Sequence, residues 1–134
     1  MIKLSQKDTL KLLGVNPDLV RVVKRLARDT DIPFQVGEGI RSRARQVMLV
    51  ATGKSRTMNS RHLTGHAVDI FPLVNGKPSW DWKYYYPLAK AMKKAAELEK
   101  VPVEWGGDWR SFKDYPHYEL PKPWSQYGSK LIGS

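Results

Sequence analysis

The chain has 134 residues, one domain's length, with 23 Lys and Arg against 13 Asp and Glu for a net charge of +10. It contains no cysteine, which excludes disulfides, thiolate metal ligands and a cysteine nucleophile. Hydrophobic residues make up 41% of it, too many for a disordered chain, yet the longest strictly apolar run is only Val47–Ala51, too short to span a membrane.

In chain order, Ser5 with Asp8 three residues on forms a capping-box pattern for a short helix through Leu10, Leu12 and Leu13, stopped at Gly14. Asn16 as N-cap and Pro17 at the first helical position open a second helix. Leu19, Val22, Val23, Leu26 and Ala27 mark its inner face, and Arg21, Lys24, Arg25 and Arg28 its wet one. Residues 33–38 read as a strand. Ser42 caps a third helix whose apolar set is Ala44, Val47, Met48 and Ala51, ended by Gly53, and residues 53–61 read as a loop. His66–Phe71 is rich in Val, Ile and Phe and predicts a strand, followed by a turn at Asn75-Gly76. Leu88, Ala89, Met92, Ala95, Ala96 and Leu98 predict the strongest helix, beginning or kinking near Pro87 and closing before Pro102. Val101–Trp105 and His117–Leu120 read as short strands, and residues 121–134 as a poorly periodic tail. Helices first, short strands later and no βαβ alternation predict a small single α+β domain with a short, mainly antiparallel sheet over residues 1–134.

The charge is uneven. Between Gly39 and Val68 stand six basic residues (Arg41, Arg43, Arg45, Lys54, Arg56, Arg61) and no acid. Such a stretch suits a solvated surface or a polyanion: nucleic acid, anionic lipid or a carboxylate-rich polymer. Acids gather later, at Glu104, Asp108, Asp114 and Glu119, around the third of only three histidines.

Those histidines carry the chemistry. His62 and His66 are four apart, as in the two-histidine helix of many metalloproteases, but Leu63 stands where that motif has its Glu, and Gly65 weakens a helix across the pair. A different set fits better. His62 and Asp69 are seven apart, with Gly65 between them to turn loop into strand, and His117 on a later strand completes a His/Asp/His group. Two neutral imidazoles and a carboxylate suit zinc with a fourth position open for water, and Asp114 is placed to accept that water's proton. Asp108, Arg110, Phe112 and Asp114 alternate, but Arg and Phe make a poor calcium loop.

The pattern Ser60-x-His62-x-x-Gly65-x-Ala67-x-Asp69, followed by Asp114-x-x-His117-x-Glu119, resembles the VanY-type D-alanyl-D-alanine carboxypeptidase family of zinc peptidases. Within it, the chain looks most like the phage endolysins that are L-alanyl-D-glutamate peptidases. The likeness runs from Gly39-Ile-Arg41-Ser42 through Trp105-Gly-Gly-Asp108-Trp109 to Leu120. It implies Zn2+ on His62, Asp69 and His117, Asp114 as catalytic base, and Arg41 binding substrate or steadying the developing oxyanion. Ser60 and Trp105 are expected beside the substrate, with Trp109 and Tyr115 as further candidate walls. His66 falls on a variable position and gains no role, the expectation being an exposed or hydrogen-bonded strand histidine. Glu119, two residues from His117 on a strand, faces the same way and is a candidate to orient that ligand.

The resulting expectation is a zinc-dependent peptidoglycan endopeptidase that cuts the stem peptide between L-alanine and D-glutamate and so lyses the host cell. An anionic membrane surface is a further expected contact; no nucleic-acid partner is expected, and the chain is expected to be a monomer. Lys3, Lys7, Asp8 and Lys11 interrupt any apolar leader, so the expected location is the host cytoplasm until release to the periplasm and wall. The alternatives are a D-alanyl-D-alanine carboxypeptidase and, from another class, a basic nucleic-acid-binding module using Arg41–Arg61, for which no recognition motif is present.

Overall fold

Capping sets the N-terminal half of the fold. In the computed structural model, which describes residues 1–55, 60–111 and 113–121, the Ser5 hydroxyl accepts from the Asp8 amide at 3.0 Å and the Asp8 carboxylate from the Ser5 amide at 2.9 Å. This box opens α1 (Gln6–Lys11). The second Asp8 oxygen accepts the Val36 amide at 2.8 Å, so one buried carboxylate caps α1 and ties it to β1 (Phe34–Glu38). Asn16 Oδ1 accepts from the Asp18 amide at 2.9 Å, and Pro17 starts α2 (Pro17–Asp29).

Helix α2 sinks Leu19, Val22, Val23 and Leu26 completely, each burial contributing about 1.5–3 kcal/mol. Its partner is α4 (Tyr85–Glu99), which buries Leu88, Ala89, Met92, Ala95 and Ala96 as their spacing predicts. Pro87 falls in the first turn, where its missing N–H costs no hydrogen bond. Leu98, expected on the inner face, is half exposed.

The sheet is antiparallel throughout, in the order β1-β2-β5-β4, with β3 paired to the far end of β2. Strand β2 (Ala67–Val74) outruns the predicted segment by three residues. It ends in a hairpin to β3 (Lys77–Pro78) across Asn75-Gly76, both with positive φ. Strands β4 (Glu104–Trp105) and β5 (His117–Glu119) complete it. One face supplies Phe34, Val36, Val68, Ile70 and Tyr118 to the core with α2 and α4. By the alternation of strand side chains, the other face carries Asp69, Phe71, His117 and Glu119.

Helix α3 (Arg43–Ala51) has the predicted Ser42 cap but not the predicted face. Val47 and Met48 are exposed, and the buried pair is Gln46 and Leu49. The polar Gln46 turns inward because it has hydrogen-bonding partners there. After the segment 56–59, which lies outside the described residues, a 3-10 turn spans Arg61–Thr64. The expected tail lies outside the described residues except for Pro121. No helix among the described residues is long and apolar enough to cross a membrane.

Candidate metal centre

Ser60 begins the site. Its hydroxyl accepts from the His62 amide at 3.2 Å and caps the turn that presents His62. Gly65 then reverses the chain with φ of 76°, and a Cβ there would stand 2.3 Å from the Gly14 carbonyl oxygen, so both backbone conformation and space demand glycine. The chain leaves this turn as β2, on which Asp69 lies directly opposite His117 of β5. Strand β1 adds Glu38 opposite Asp69, because an extra residue at Gly37 bulges the strand and re-aims its end. Glu38, Asp69 and His117 thus stand in one row across three strands.

Asp69 Oδ1 lies 3.1 Å from His62 Nε2 and 3.5 Å from His117 Nδ1, and the two imidazole nitrogens are 3.2 Å apart. All three ligand atoms fall within 4.8 Å of one another, and both imidazoles are buried. Each ring is held from behind at its other nitrogen. His62 Nδ1 lies 2.7 Å from the Gly39 carbonyl, and His117 Nε2 lies 2.7 Å from Glu119 Oε1. The two histidines therefore face the group through different nitrogens, Nε2 from His62 and Nδ1 from His117. Two imidazoles and a carboxylate, each backed by a partner, fit a divalent metal of the zinc type with an open coordination position.

The electrostatics agree. Burial would raise the Asp69 pKa, but the hydrogen bonds and charges of His117 and His62 overcome it and hold the carboxyl well below the usual carboxylate range. Burial would lower His117, yet the hydrogen bonds to Asp69 and Glu119 push it up to about 9. The site is a well for positive charge. Asp114 goes the other way: burial first, then the charge of Asp69, raises its pKa. It lines the same cleft, in the segment where its amide donates to the Gly106 carbonyl at 3.1 Å and its carbonyl accepts from the His117 amide at 3.2 Å.

Arg41 lies at the group but not as a free cation. Glu38 grips it through Nε at 3.0 Å and Nη2 at 3.1 Å, Gln46 accepts from Nη1 at 2.7 Å, and Nη2 stands 3.9 Å from Asp69 Oδ2. Its guanidinium is fixed beside the Asp69 carboxylate. Glu38 and Gln46 were not legible as site residues, since a strand-end acid and a helix glutamine both read as solvent-facing.

The cleft has a volume of about 600 Å³. Ser60 and Arg41, the expected substrate contacts, both line it. Trp105 does not: it is buried in the core, its indole Nε1 donating to the Tyr115 carbonyl at 2.6 Å. Among the three candidate aromatic walls only Trp109 lines the cleft, its ring 5.2 Å from that of His117, and Trp80 joins it unpredicted. His66 lies outside the metal group, buried, with Thr64 Oγ1 2.7 Å from its Nδ1.

The phage L-alanyl-D-glutamate peptidase family matches residues 1–121. The L-alanyl-D-glutamate peptidase of Escherichia phage T5 is 30% identical over 124 residues, covering 90% of each chain. The peptidoglycan L-alanyl-D-glutamate endopeptidase CwlK of Bacillus subtilis is 32% identical, covering 85% of this chain and 80% of that protein. The crystal structure of the Serratia marcescens L-Ala D-Glu endopeptidase ChiX superposes with a TM-score of 0.83 at 47% identity, covering 90% of both chains.

Proposed function

Because the chain belongs to the phage L-alanyl-D-glutamate peptidase family, we propose that it is a zinc-dependent peptidoglycan endopeptidase cutting the stem peptide between L-alanine and D-glutamate. The observation that carries this reading is the convergence of His62 Nε2, Asp69 Oδ1 and His117 Nδ1 in a cleft that also holds Asp114.

When bound by those three residues, zinc supplies a Lewis acid for the scissile carbonyl and a lowered pKa for the attacking water. Asp114 is the proton carrier. Its half-buried carboxyl, with a pKa above the ordinary aspartate value, takes the proton of the attacking water and delivers it to the departing amine of D-glutamate. Glu119 holds the His117 ring with Nδ1 forward, and the Gly39 carbonyl holds His62 with Nε2 forward. Arg41, fixed by Glu38 and Gln46, keeps a positive charge beside Asp69, where it steadies negative charge developing on the carbonyl oxygen. Arg45 and Lys54 place further positive charge on the cleft wall, suited to a substrate rich in carboxylates.

The test is metal analysis with a paired activity assay. One zinc per chain is expected in the purified protein. His62→Ala and His117→Ala should lose it together with activity, and a chelator should abolish turnover that added zinc restores. Full zinc occupancy in either variant removes that histidine from the site.

A further inference from the structure

The cleft continues past the metal group along β2. Phe71 follows Asp69 by two residues, so its ring lies on the same face, roughly 7 Å farther along the strand. Gly37 of β1 leaves room for it: a Cβ there would meet the Phe71 ring at 2.0 Å. Trp80 leans edge-on against Phe71, centroids 5.0 Å apart at 76°, and lines the same cleft. Trp80 is nonetheless 75% exposed.

This exposure is not that of a loose loop. The Ser79 amide donates to the Pro72 carbonyl at 3.0 Å, the Ser79 carbonyl accepts from Tyr85 Oη at 2.7 Å, and the Asp81 amide donates to Ser79 Oγ at 3.2 Å. The backbone on both sides of Trp80 is pinned, so a large apolar face is held toward water at the end of the cleft. Such a face lowers its free energy by taking a flat, partly apolar ligand.

We infer that Trp80, backed by Phe71, is a subsite for the glycan that carries the stem peptide, stacking on the pyranose ring of the N-acetylmuramoyl unit upstream of the cleaved bond. This rests on the peptidase reading above. The distances agree. With the scissile carbonyl at the metal group, the upstream L-alanine spans roughly 3.5 Å and the lactyl link about as much again. The sugar ring then begins about 7 Å from the group, the separation of Phe71 from Asp69 along β2. A pyranose offers a face of C–H groups that packs on an indole without a charged partner. The stem peptide is thereby oriented, its amino-terminal side running along β2 toward the β2–β3 hairpin.

Two substrates isolate the subsite: a free stem tripeptide beginning L-alanyl-D-glutamate, and the same peptide carrying N-acetylmuramic acid. The ratio of kcat/KM for the sugar-bearing over the sugar-free substrate should fall about tenfold in Trp80→Ala and largely recover in Trp80→Tyr. Metal content and thermal midpoint confirm that both variants are folded. An unchanged ratio in folded, metal-loaded Trp80→Ala overturns the inference. Binding is read independently of turnover by titrating N-acetylmuramoyl-L-alanine and following the indole N–H resonance that Trp80→Tyr removes. A shift of that resonance in a wild-type protein that cleaves neither substrate sustains the subsite while defeating the peptidase reading. Absence of any shift at saturating ligand overturns the subsite.

Discussion

Glu119 Oε1 sits 2.7 Å from His117 Nε2, and the two residues, next but one on β5, point to the same face. A carboxylate on that nitrogen holds a proton there, so that Nδ1, which faces Asp69 and His62, is the nitrogen that would give its lone pair to a metal. Without Glu119 the ring is free to exchange tautomers and to turn. Glu119→Ala should weaken zinc binding by about 10–100-fold, with Glu119→Gln, which keeps an acceptor but no charge, in between. Competition against a chelator of known affinity measures this. Wild-type affinity in Glu119→Ala would show that His117 needs no such support.

The proposed proton carrier Asp114 carries a stability cost. Its pKa is raised by burial and by the charge of Asp69, so above that pKa the ionised carboxylate is less favourable in the folded protein than in the unfolded one. Asp114→Asn should leave zinc bound and lower turnover by about 10²–10⁴. In the metal-free state the same variant should melt higher than wild type at neutral pH. The difference should narrow as the pH falls and wild-type Asp114 takes up its proton. Near-normal turnover would make Asp114 structural and leave Glu119 as the next candidate base.

Metal-free protein should be sensitive to pH on the alkaline side. His117 is raised from its ordinary value to about 9, so its protonated form favours the folded state. That contribution is complete below the unfolded-state value of about 6.5 and is lost as the pH rises through about 9. A metal competes for the same nitrogen, so apparent zinc affinity should climb over the same interval. Thermal melts of metal-free protein from pH 6 to 10, with and without added zinc, test both. A flat metal-free midpoint would contradict the elevated His117.

Gly65→Ala should be destabilising well beyond the effect of an added methyl on an exposed turn. The left-handed backbone alone costs a non-glycine residue about 1–2 kcal/mol, and the new Cβ would also strike the Gly14 carbonyl oxygen. Since the turn places His62, zinc affinity should drop with the melting temperature. A variant with wild-type stability would mean that the turn and its neighbour can yield.

Much of this architecture is local and therefore legible in the chain. Ser5 with Asp8, Asn16 with Pro17 and Ser42 each cap the helix their spacing predicts, because capping is settled within four residues. The Ser60–Asp69 pattern carries its own geometry: a cap, the His62 imidazole, a glycine reversal and the Asp69 carboxylate on the strand that follows. What escaped depends on partners far off in sequence. Helix α3 turns Gln46 inward because Arg41 and Ser55 meet it there, and no periodicity of apolar residues reveals that. The Glu38 grip on Arg41 needs a strand bulge at Gly37, and the core position of Trp105 needs the Tyr115 carbonyl. Trp80 escaped likewise: in sequence it is one aromatic in a polar turn, and only the Phe71 ring beneath it makes it part of a cleft.

The most direct test of the central claim is mass spectrometry of peptidoglycan digested by the zinc-loaded protein. The expected products are peptides with new D-glutamate amino termini and glycan strands that still carry L-alanine, both absent from digests with Asp114→Asn or with chelated enzyme. Release of free D-alanine as the main product, with the L-alanyl-D-glutamate bond intact, would contradict it and place the protein with the carboxypeptidases.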